Sequence, residues 1–146
     1  MLYTQINLSG PILIIEDDED DQLILTRILK ELNLADKVIY FSTPLEALDY
    51  LQQATVHPFI LICDINMPMI NGIEFKKQID QDPVLKAKCT PFIFWSTSIS
   101  DTLVHQAYTE TTIQGFFQKS CNYKELKQQL YYILGYWYYC QHPVFE

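Results

Sequence analysis

Five apolar runs of strand length recur along the chain, and segments with helical spacing separate them. The runs are PILII at 11–15, KVIYF at 37–41, FILICD at 59–64, PFIFWS at 91–96 and GFFQK at 115–119. Strands that are apolar throughout, alternating with helical segments of roughly 10 to 15 residues, are typical of a parallel sheet covered on both faces. We therefore predict a doubly wound α/β domain, with a five-stranded parallel sheet and helices on both of its faces.

Each predicted strand is followed by a helix signal. Apolar residues at 25, 28, 29 and 32 follow the i, i+3, i+4, i+7 pattern and predict a first helix from about Asp18 to Asn33. A second helix is predicted to begin at Thr43, which precedes a proline and has a glutamate three residues on. We expect the others after the Asn-Gly at 71–72, over about 101–110, and from near Asn122.

The size and charge of the chain limit what it can be. Its 146 residues fit one domain, and a net charge of -8 argues against binding to nucleic acid or to an anionic membrane. The four cysteines form no CxxC pair, which is typical of reduced thiols, and we found neither a secretory signal nor a run of about 18 apolar residues. We therefore predict a cytoplasmic protein.

Six consecutive acids, at 16–21, follow the first predicted strand. The last four suit the start of a helix, where the helix dipole favours negative charge. Glu16 and Asp17 instead sit at the strand end, and Asp64 ends the third predicted strand. Ligands of such sheets bind at the carboxyl ends of the strands, and close carboxylates repel each other unless a cation joins them. The pattern predicts a site for a hard cation such as Mg²⁺.

Two more polar side chains end predicted strands, Ser96 the fourth and Lys119 the fifth. Taken singly, each is an ordinary residue before a turn. Taken together with Asp64 and a metal site, they supply what phosphoryl transfer requires: a carboxylate nucleophile, and a hydroxyl, an ammonium and a cation that hold the transferred oxygens.

Five motifs resemble, in order, those of the receiver domains of two-component response regulators. They are ILIIEDD, ICDINMPMING, PFIFWSTS, GFFQK and the capped final helix, and the resemblance covers about residues 10–135. It implies the CheY-like, flavodoxin-like fold, in which the strand order is 2-1-3-4-5.

The resemblance implies a role for each polar residue of the metal site. Asp64 corresponds to the aspartate that receives the phosphoryl group. Asp17 corresponds to a direct ligand of Mg²⁺ or Mn²⁺, and Glu16 to one that acts through water. Asn66 corresponds to the residue whose backbone carbonyl completes the metal site and whose side chain faces the incoming group.

The resemblance also implies a switch. Ser96 corresponds to the hydroxyl residue that hydrogen-bonds the phosphoryl group, Lys119 to the lysine that pairs with it, and Phe116 to the aromatic switch position. A histidine kinase or a histidine phosphotransfer protein would donate the phosphoryl group. The surface formed by the fourth helix, fifth strand and fifth helix would then change shape and bind a downstream protein. Such a protein promotes only its own phosphorylation and dephosphorylation and is otherwise not an enzyme.

The chain departs from the family pattern at three positions. Ser120 follows the lysine where relatives usually have proline, and a cis bond before another residue costs about 2.5 to 4 kcal/mol, so we expect this bond to be trans or strained. Phe116 lacks the hydroxyl of the tyrosine found in many relatives. Thr97 is larger than the usual Ala or Gly, and we expect it to limit solvent access to the phosphoryl group.

The C-terminal part is rich in aromatic residues, with seven Tyr, Trp and Phe among the last 16 residues. We predict that the final helix extends to about Gln141 and ends before Pro143. Such a helix resembles that of single-domain regulators that pair with bacterial phytochromes, and it favours a homodimer or partner surface on the fourth and fifth helices. The predicted receiver domain is 10–141, with short termini at 1–9 and 142–146 and no output domain.

Three other functions agree less well with these residues. A receiver fold could serve as an adaptor that works without phosphorylation, although every phosphorylation residue is present. An aspartate-nucleophile phosphatase shares the chemistry, but DINMP lacks the second acid that this class has two positions after the nucleophile. Flavin binding is disfavoured because an acidic edge would repel the cofactor phosphate unless a metal ion intervened.

Overall fold

Five strands alternate with helices along the chain, as predicted. The computed structural model describes residues 10–53, 55, 57–67 and 69–142. The strands are β1 (Ile12–Ile15), β2 (Val38–Phe41), β3 (Ile60–Cys63), β4 (Phe92–Ser96) and β5 (Gly115–Gln118). The helices are α1 (Glu19–Glu31), α2 (Pro44–Leu51), α3 (Gly72–Gln81), α4 (Pro83–Ala87), α5 (Asp101–Glu110) and α6 (Tyr123–Tyr139), and a 3₁₀ turn spans Ala35–Lys37. The predicted fourth and fifth helices are thus α5 and α6.

All strand pairs are parallel, and the strand order is β2-β1-β3-β4-β5. The predicted fold class and strand order are confirmed. In the register, Ile15 pairs with Phe41 on one side and with Cys63 on the other. Glu16 and Asp64 therefore leave the sheet side by side, one at the end of β1 and the other at the end of β3.

Hydrophobic residues of β1 point alternately into the two layers that cover the sheet. Ile12 and Ile14 pack in one core with buried residues of α1 and α6, whereas Leu13 and Ile15 pack in the other with α2, α3 and α5. All four side chains are at most 2% exposed. Burying an Ile or Leu side chain contributes roughly 1.5 to 3 kcal/mol, so both layers hold the site-bearing end of β1 in place.

Side-chain caps begin the helices where the sequence predicts them. Asp18 accepts hydrogen bonds from the backbone N–H groups of Asp20 and Asp21, Thr43 accepts from Glu46, and Asn122 accepts from Glu125. The last four acids of the run thus cap and begin α1, as expected. None of the described helices has both the length and the hydropathy needed to cross a bilayer.

Two predicted helix ends are wrong by about two residues. α1 stops at Glu31, because Asn33 takes a left-handed conformation with φ of 60°. α6 stops at Tyr139, because Cys140 is extended, with ψ of 151°. Pro143, which we expected to follow the last helix, lies outside the described residues, as do 1–9.

The short helix α4 was not predicted. Asp82 caps it by accepting hydrogen bonds from the N–H groups of Val84 and Leu85, and Pro83 occupies its first position. Only Leu85 is buried in it. A helix of five residues with one buried side chain shows no periodicity, although Asp-Pro is a start signal in its own right.

Candidate functional site

Three carboxylates meet at the carboxyl edge of the sheet. Glu16, Asp17 and Asp64 each place one carboxylate oxygen within 4.8 Å of the corresponding oxygens of the other two. Glu16 is buried, Asp64 is half-buried and Asp17 is exposed. The predicted meeting of the two acidic segments is therefore confirmed, and the cluster opens towards solvent on the side of Asp17.

Backbone hydrogen bonds fix the two acidic segments relative to each other. The N–H of Glu16 donates to the carbonyl of Phe41 at 3.0 Å, and the N–H of Asp64 donates to the carbonyl of Ile15 at 3.2 Å. The ladder thus continues one residue beyond each strand. This continuation explains why residues 48 positions apart in the sequence hold their carboxylates so close.

Lys119 is bound to Glu16. Its Nζ lies 2.6 Å from Glu16 Oε2, and the two side chains are only 6% and 3% exposed. Glu16 Oε1 accepts a second hydrogen bond, from the N–H of Asp18 at 3.1 Å. Burial raises the pKa of Glu16, and the hydrogen bond and charge of Lys119 only partly oppose this.

The charges of the site are not balanced by its own residues. Among the described residues, three carboxylates face a single ammonium, which leaves two negative charges without a nearby counterion in that part of the chain. Hard divalent cations prefer carboxylate oxygens, and Mg²⁺ is commonly held by one or two of them. The donor set therefore fits Mg²⁺ or Mn²⁺, with Asp17 and Asp64 offering oxygens that are not bound to Lys119.

The backbone around Asp64 is packed tightly. The N–H of Asn66 donates to Asp64 Oδ1 at 3.3 Å. A methyl group at Gly72, the first residue of α3, would lie 2.7 Å from the carbonyl oxygen of Asp64 and 2.9 Å from the ring of Phe94. Glycine is needed at this position because the helix starts against the backbone of Asp64.

Ser96 and Thr97 lie at the end of β4, the strand next to β3. Ser96 is fully buried, and its Oγ donates to the carbonyl of Ser98 at 3.2 Å. Its own carbonyl accepts from the N–H of Lys119 at 2.7 Å. Thr97 is exposed and lines a cavity of about 280 Å³ together with Lys119 and Asp21. The structure thus joins β4 to Lys119 through the backbone.

Phe116 is half-buried on β5. Its ring centroid lies 5.8 Å from that of Phe94, at an interplanar angle of 51°. The expected switch residue therefore packs beside the strand that carries Ser96. No cis peptide bond occurs in the described part of the chain, so the Lys119–Ser120 bond is trans, which was one of the two expected arrangements.

Sequence reasoning missed Gln129, on α6. Its side chain amide binds Trp95 of β4 and two backbone groups next to Lys119. A glutamine in an amphipathic helix carries no local signal for such a role, because all three partners come from other parts of the chain.

An aromatic face covers the outer side of α6. Tyr132 and Tyr136 are 59% and 66% exposed. They border a groove of about 410 Å³ between β5 and α6, whose lining also includes Phe117 and Trp137. Exposed aromatic side chains that border an apolar groove are typical of surfaces that bind another protein.

Comparisons with known proteins agree with this geometry. A family model described as the response regulator receiver domain matches residues 12–131. The chain is similar to the response regulator Rcp1 of Synechocystis sp., with 28% identity over 131 residues that cover 86% of this chain and 87% of that protein.

Two solved structures are similar over most of their length. The phosphorylated cyanobacterial phytochrome response regulator RcpA is 26% identical, with a TM-score of 0.80 that covers 92% of this chain and 99% of that one. The Mn²⁺-bound form of response regulator Rcp1 is also 26% identical, with a TM-score of 0.77 over 92% and 99% of the two chains.

Proposed function

This chain belongs to the response regulator receiver domain family, and we propose that it is a phosphorylation switch that accepts a phosphoryl group on Asp64. The observation that carries the proposal is the meeting of Asp64 with Glu16 and Asp17 within 4.8 Å. A phosphohistidine on a histidine kinase or a phosphotransfer protein is the proposed donor, and the cytoplasm is the proposed compartment.

The carboxylates form the proposed metal site. Asp17 and Asp64 would hold Mg²⁺ or Mn²⁺ directly, Glu16 would bind it through a water molecule, and Asn66 would contribute its backbone carbonyl. When bound, the ion neutralises charge on the oxygens of the transferring phosphoryl group. Two findings support this site: the donor set suits a hard cation, and the similar protein Rcp1 has been solved with Mn²⁺ bound.

Asp64 supplies the nucleophile. Its carboxylate oxygen attacks phosphorus in line with the leaving imidazole of the donor. The new O–P bond forms as the N–P bond breaks, and the electron pair of that bond stays on the imidazole nitrogen. Lys119 contributes a positive charge beside the reaction. It exchanges one anionic partner, Glu16, for another, an oxygen of the phosphoryl group.

The proposed response spreads from Asp64 towards β4 and β5. Ser96 turns from the carbonyl of Ser98 to a phosphoryl oxygen, and Phe116 moves further into the space beside Phe94. Phosphorylation shifts the protein towards this second arrangement. The size of the shift is set by how much more favourably the phosphoryl group interacts with the second arrangement than with the first. Thr97, exposed beside Lys119, limits the access of water and slows loss of the phosphoryl group.

The proposed output surface is the face of α5, β5 and α6. Its exposed aromatic residues bind a downstream protein or a second copy of the chain. Analytical ultracentrifugation of the protein, with and without a phosphoryl mimic, tests the second of these. A monomer at high concentration in both conditions would rule out the homodimer.

Acetyl phosphate tests the central proposal. The protein is incubated with this small phosphodonor and Mg²⁺, and its intact mass is measured. We expect the wild-type chain to gain one phosphoryl group, and Asp64→Asn to gain none. Asp49→Asn, which changes an exposed acid on α2, should behave as the wild type. A phosphoryl group that persists in Asp64→Asn would show that the acceptor is elsewhere.

A further inference from the structure

Gln129 hydrogen-bonds the backbone on both sides of Lys119. Its Nε2 donates to the carbonyl of Gln118 at 2.7 Å, and its Oε1 accepts from the N–H of Ser120 at 3.2 Å. Gln118 ends β5, and Ser120 begins the loop that leads to α6. One side-chain amide of α6 therefore holds the main chain immediately before and immediately after the lysine.

The same side chain also holds the ring next to the lysine ammonium. Gln129 Oε1 accepts a further hydrogen bond from Trp95 Nε1 at 3.2 Å. Trp95 is only 1% exposed, and Lys119 Nζ lies 5.6 Å from its ring centroid. An ammonium at this distance from an indole ring is attracted by the negative potential of the ring face. Gln129 thus fixes both the backbone on either side of Lys119 and the Trp95 ring that lies next to the lysine ammonium.

This arrangement depends on the residue that follows the lysine. Proline, which relatives usually have there, carries no N–H and would offer Gln129 no donor. Ser120 supplies that donor. Its Oγ also accepts from the N–H of Asn122 at 3.1 Å and binds Glu125 Oε2 at 3.0 Å. The hydrogen bonds of Ser120 therefore restrain the loop between β5 and α6.

We propose that Gln129 is a positioning residue for Lys119, which it holds through its hydrogen bonds to Gln118, Ser120 and Trp95. Gln129 touches no reacting atom and acts only through the lysine. The inference deepens the proposed function and rests on it to the extent that Lys119 assists phosphorylation of Asp64.

Gln129→Leu tests the proposal, since leucine has a similar size and makes no hydrogen bond. We expect the initial rate of Asp64 phosphorylation by acetyl phosphate, at saturating Mg²⁺, to fall on the order of tenfold, less than the hundredfold that a misplacement of about 1 Å can cost. Gln128→Leu is the matched control. Gln128 is the exposed neighbour on α6, its amide binds only the hydroxyl of Tyr132 among the described residues, and its loss should leave the rate unchanged.

A double-mutant cycle separates positioning from general loosening of α6. In a Lys119→Ala background, Gln129→Leu should slow phosphorylation no further, because the group that it positions is gone. If Gln129→Leu caused damage independent of the lysine, it would lower the phosphorylation rate by the same factor in the wild-type and in the Lys119→Ala backgrounds. An equal further loss in the Lys119→Ala background would overturn the proposal, and so would an unchanged rate in Gln129→Leu alone.

An NMR measurement tests the positioning without phosphorylation. The Cε resonance of Lys119, assigned by its absence in Lys119→Met, should shift in Gln129→Leu and stay in place in Gln128→Leu. If the wild-type chain accepts no phosphoryl group, the proposed function fails, and this resonance alone decides the inference. A resonance that does not move overturns it.

A second variant covers the case in which Gln129→Leu does not fold. Gln129→Glu keeps an acceptor for Trp95 and Ser120, and replaces the donor to Gln118 by a negatively charged oxygen that repels the Gln118 carbonyl. Its phosphorylation rate should lie below that of the wild type, because the backbone before Lys119 loses its hydrogen bond and meets a repulsive oxygen. A rate equal to that of the wild type would contradict a role for the bond to Gln118.

Discussion

The ammonium of Lys119 lies 2.6 Å from the carboxylate of Glu16, although 103 residues separate the two along the chain. Glu16 follows β1 and Lys119 follows β5, and the ends of β3 and β4 lie between them in the sheet. The ion pair therefore reaches across the strand ends that carry Asp64 and Ser96. It is nearly excluded from solvent, and loss of one partner leaves a buried charge without its counterion.

Lys119→Met should destabilise the protein by roughly 3 kcal/mol at neutral pH, because it leaves the Glu16 carboxylate buried beside two others. Urea unfolding measures the free energy. Part of the loss should be recovered in MgCl₂, since the cation replaces the missing positive charge. Lys124→Met, which changes an exposed lysine on α6, is the control and should have little effect. Equal losses in the two variants would show that the buried pair is unimportant.

Magnesium should stabilise the folded chain. A ligand that binds only the folded state, present at 100 times its Kd, adds about 2.7 kcal/mol. We expect the melting temperature to rise with MgCl₂ relative to NaCl of equal ionic strength, and Asp17→Asn to reduce this rise sharply. Asp20→Asn removes an exposed acid in the first turn of α1 and should keep it. An equal reduction in both variants would point to general screening of the negative charge.

Gly72→Ala should impair both folding and the site. The added methyl group meets the Asp64 carbonyl at 2.7 Å, and such overpacking typically costs about 1 to 3 kcal/mol. We also expect slower phosphorylation of Asp64, because the backbone of the acceptor must move. Gly115→Ala is the control, since its methyl group would lie 3.5 Å from the ring of Phe117, an ordinary contact. Wild-type stability and rate in Gly72→Ala would contradict the close approach.

Asp80 should make the stability depend on pH under acidic conditions. Burial by itself raises the pKa of Asp80, but hydrogen bonds from Lys76 and from the N–H and Oγ1 of Thr112 outweigh it, and the net pKa is lowered. The folded pKa thus lies below the unfolded value of about 3.9. The stability that Asp80 contributes is present above the unfolded pKa and is lost as the pH falls through the folded one.

Asp80→Asn should therefore cost about 1.5 to 3 kcal/mol at neutral pH, the range for hydrogen bonds to charged groups, and less as the pH is lowered. Urea unfolding from pH 7 down to pH 2 measures both effects. Asp36→Asn, at an exposed acid in the 3₁₀ turn, should leave the curve unchanged. A cost that stays constant over this range would mean that the charge of Asp80 is not what stabilises the fold.

Much of the fold could be predicted because its signals are local. The three central strands, β1, β3 and β4, are buried on both faces and read as continuous apolar runs. Thr43 and Asn122 mark the starts of their helices, because each side chain accepts a hydrogen bond from the backbone N–H three residues on. The carboxyl ends of parallel strands share one edge, which placed Asp17 and Asp64 on the same side of the sheet. Their meeting also required β1 to lie beside β3, and that strand order came from the family resemblance.

The parts that could not be predicted depend on contacts between distant residues. The bond from Lys119 to Glu16 required knowledge of how far two long side chains reach across the sheet. Gln129 bonds to Trp95, 34 residues away, and nothing near it in the sequence distinguishes it from Gln128. Helix α4 has a visible start signal at Asp82, but it is too short for its apolar residues to show a period.

The position of Lys119 after β5, which follows the other four strands of the sheet in the sequence, also bears on how the protein is made. A ribosome completes β1 and β3, and with them Glu16, Asp17 and Asp64, well before it adds β5. A partly synthesised chain therefore contains these three carboxylates before Lys119 exists. In a refolding chain the same carboxylates repel one another whenever they meet before Lys119 has reached Glu16. We expect refolding, followed by stopped-flow tryptophan fluorescence, to be faster in MgCl₂ than in NaCl of equal ionic strength, and equal rates would mean that this repulsion does not delay folding.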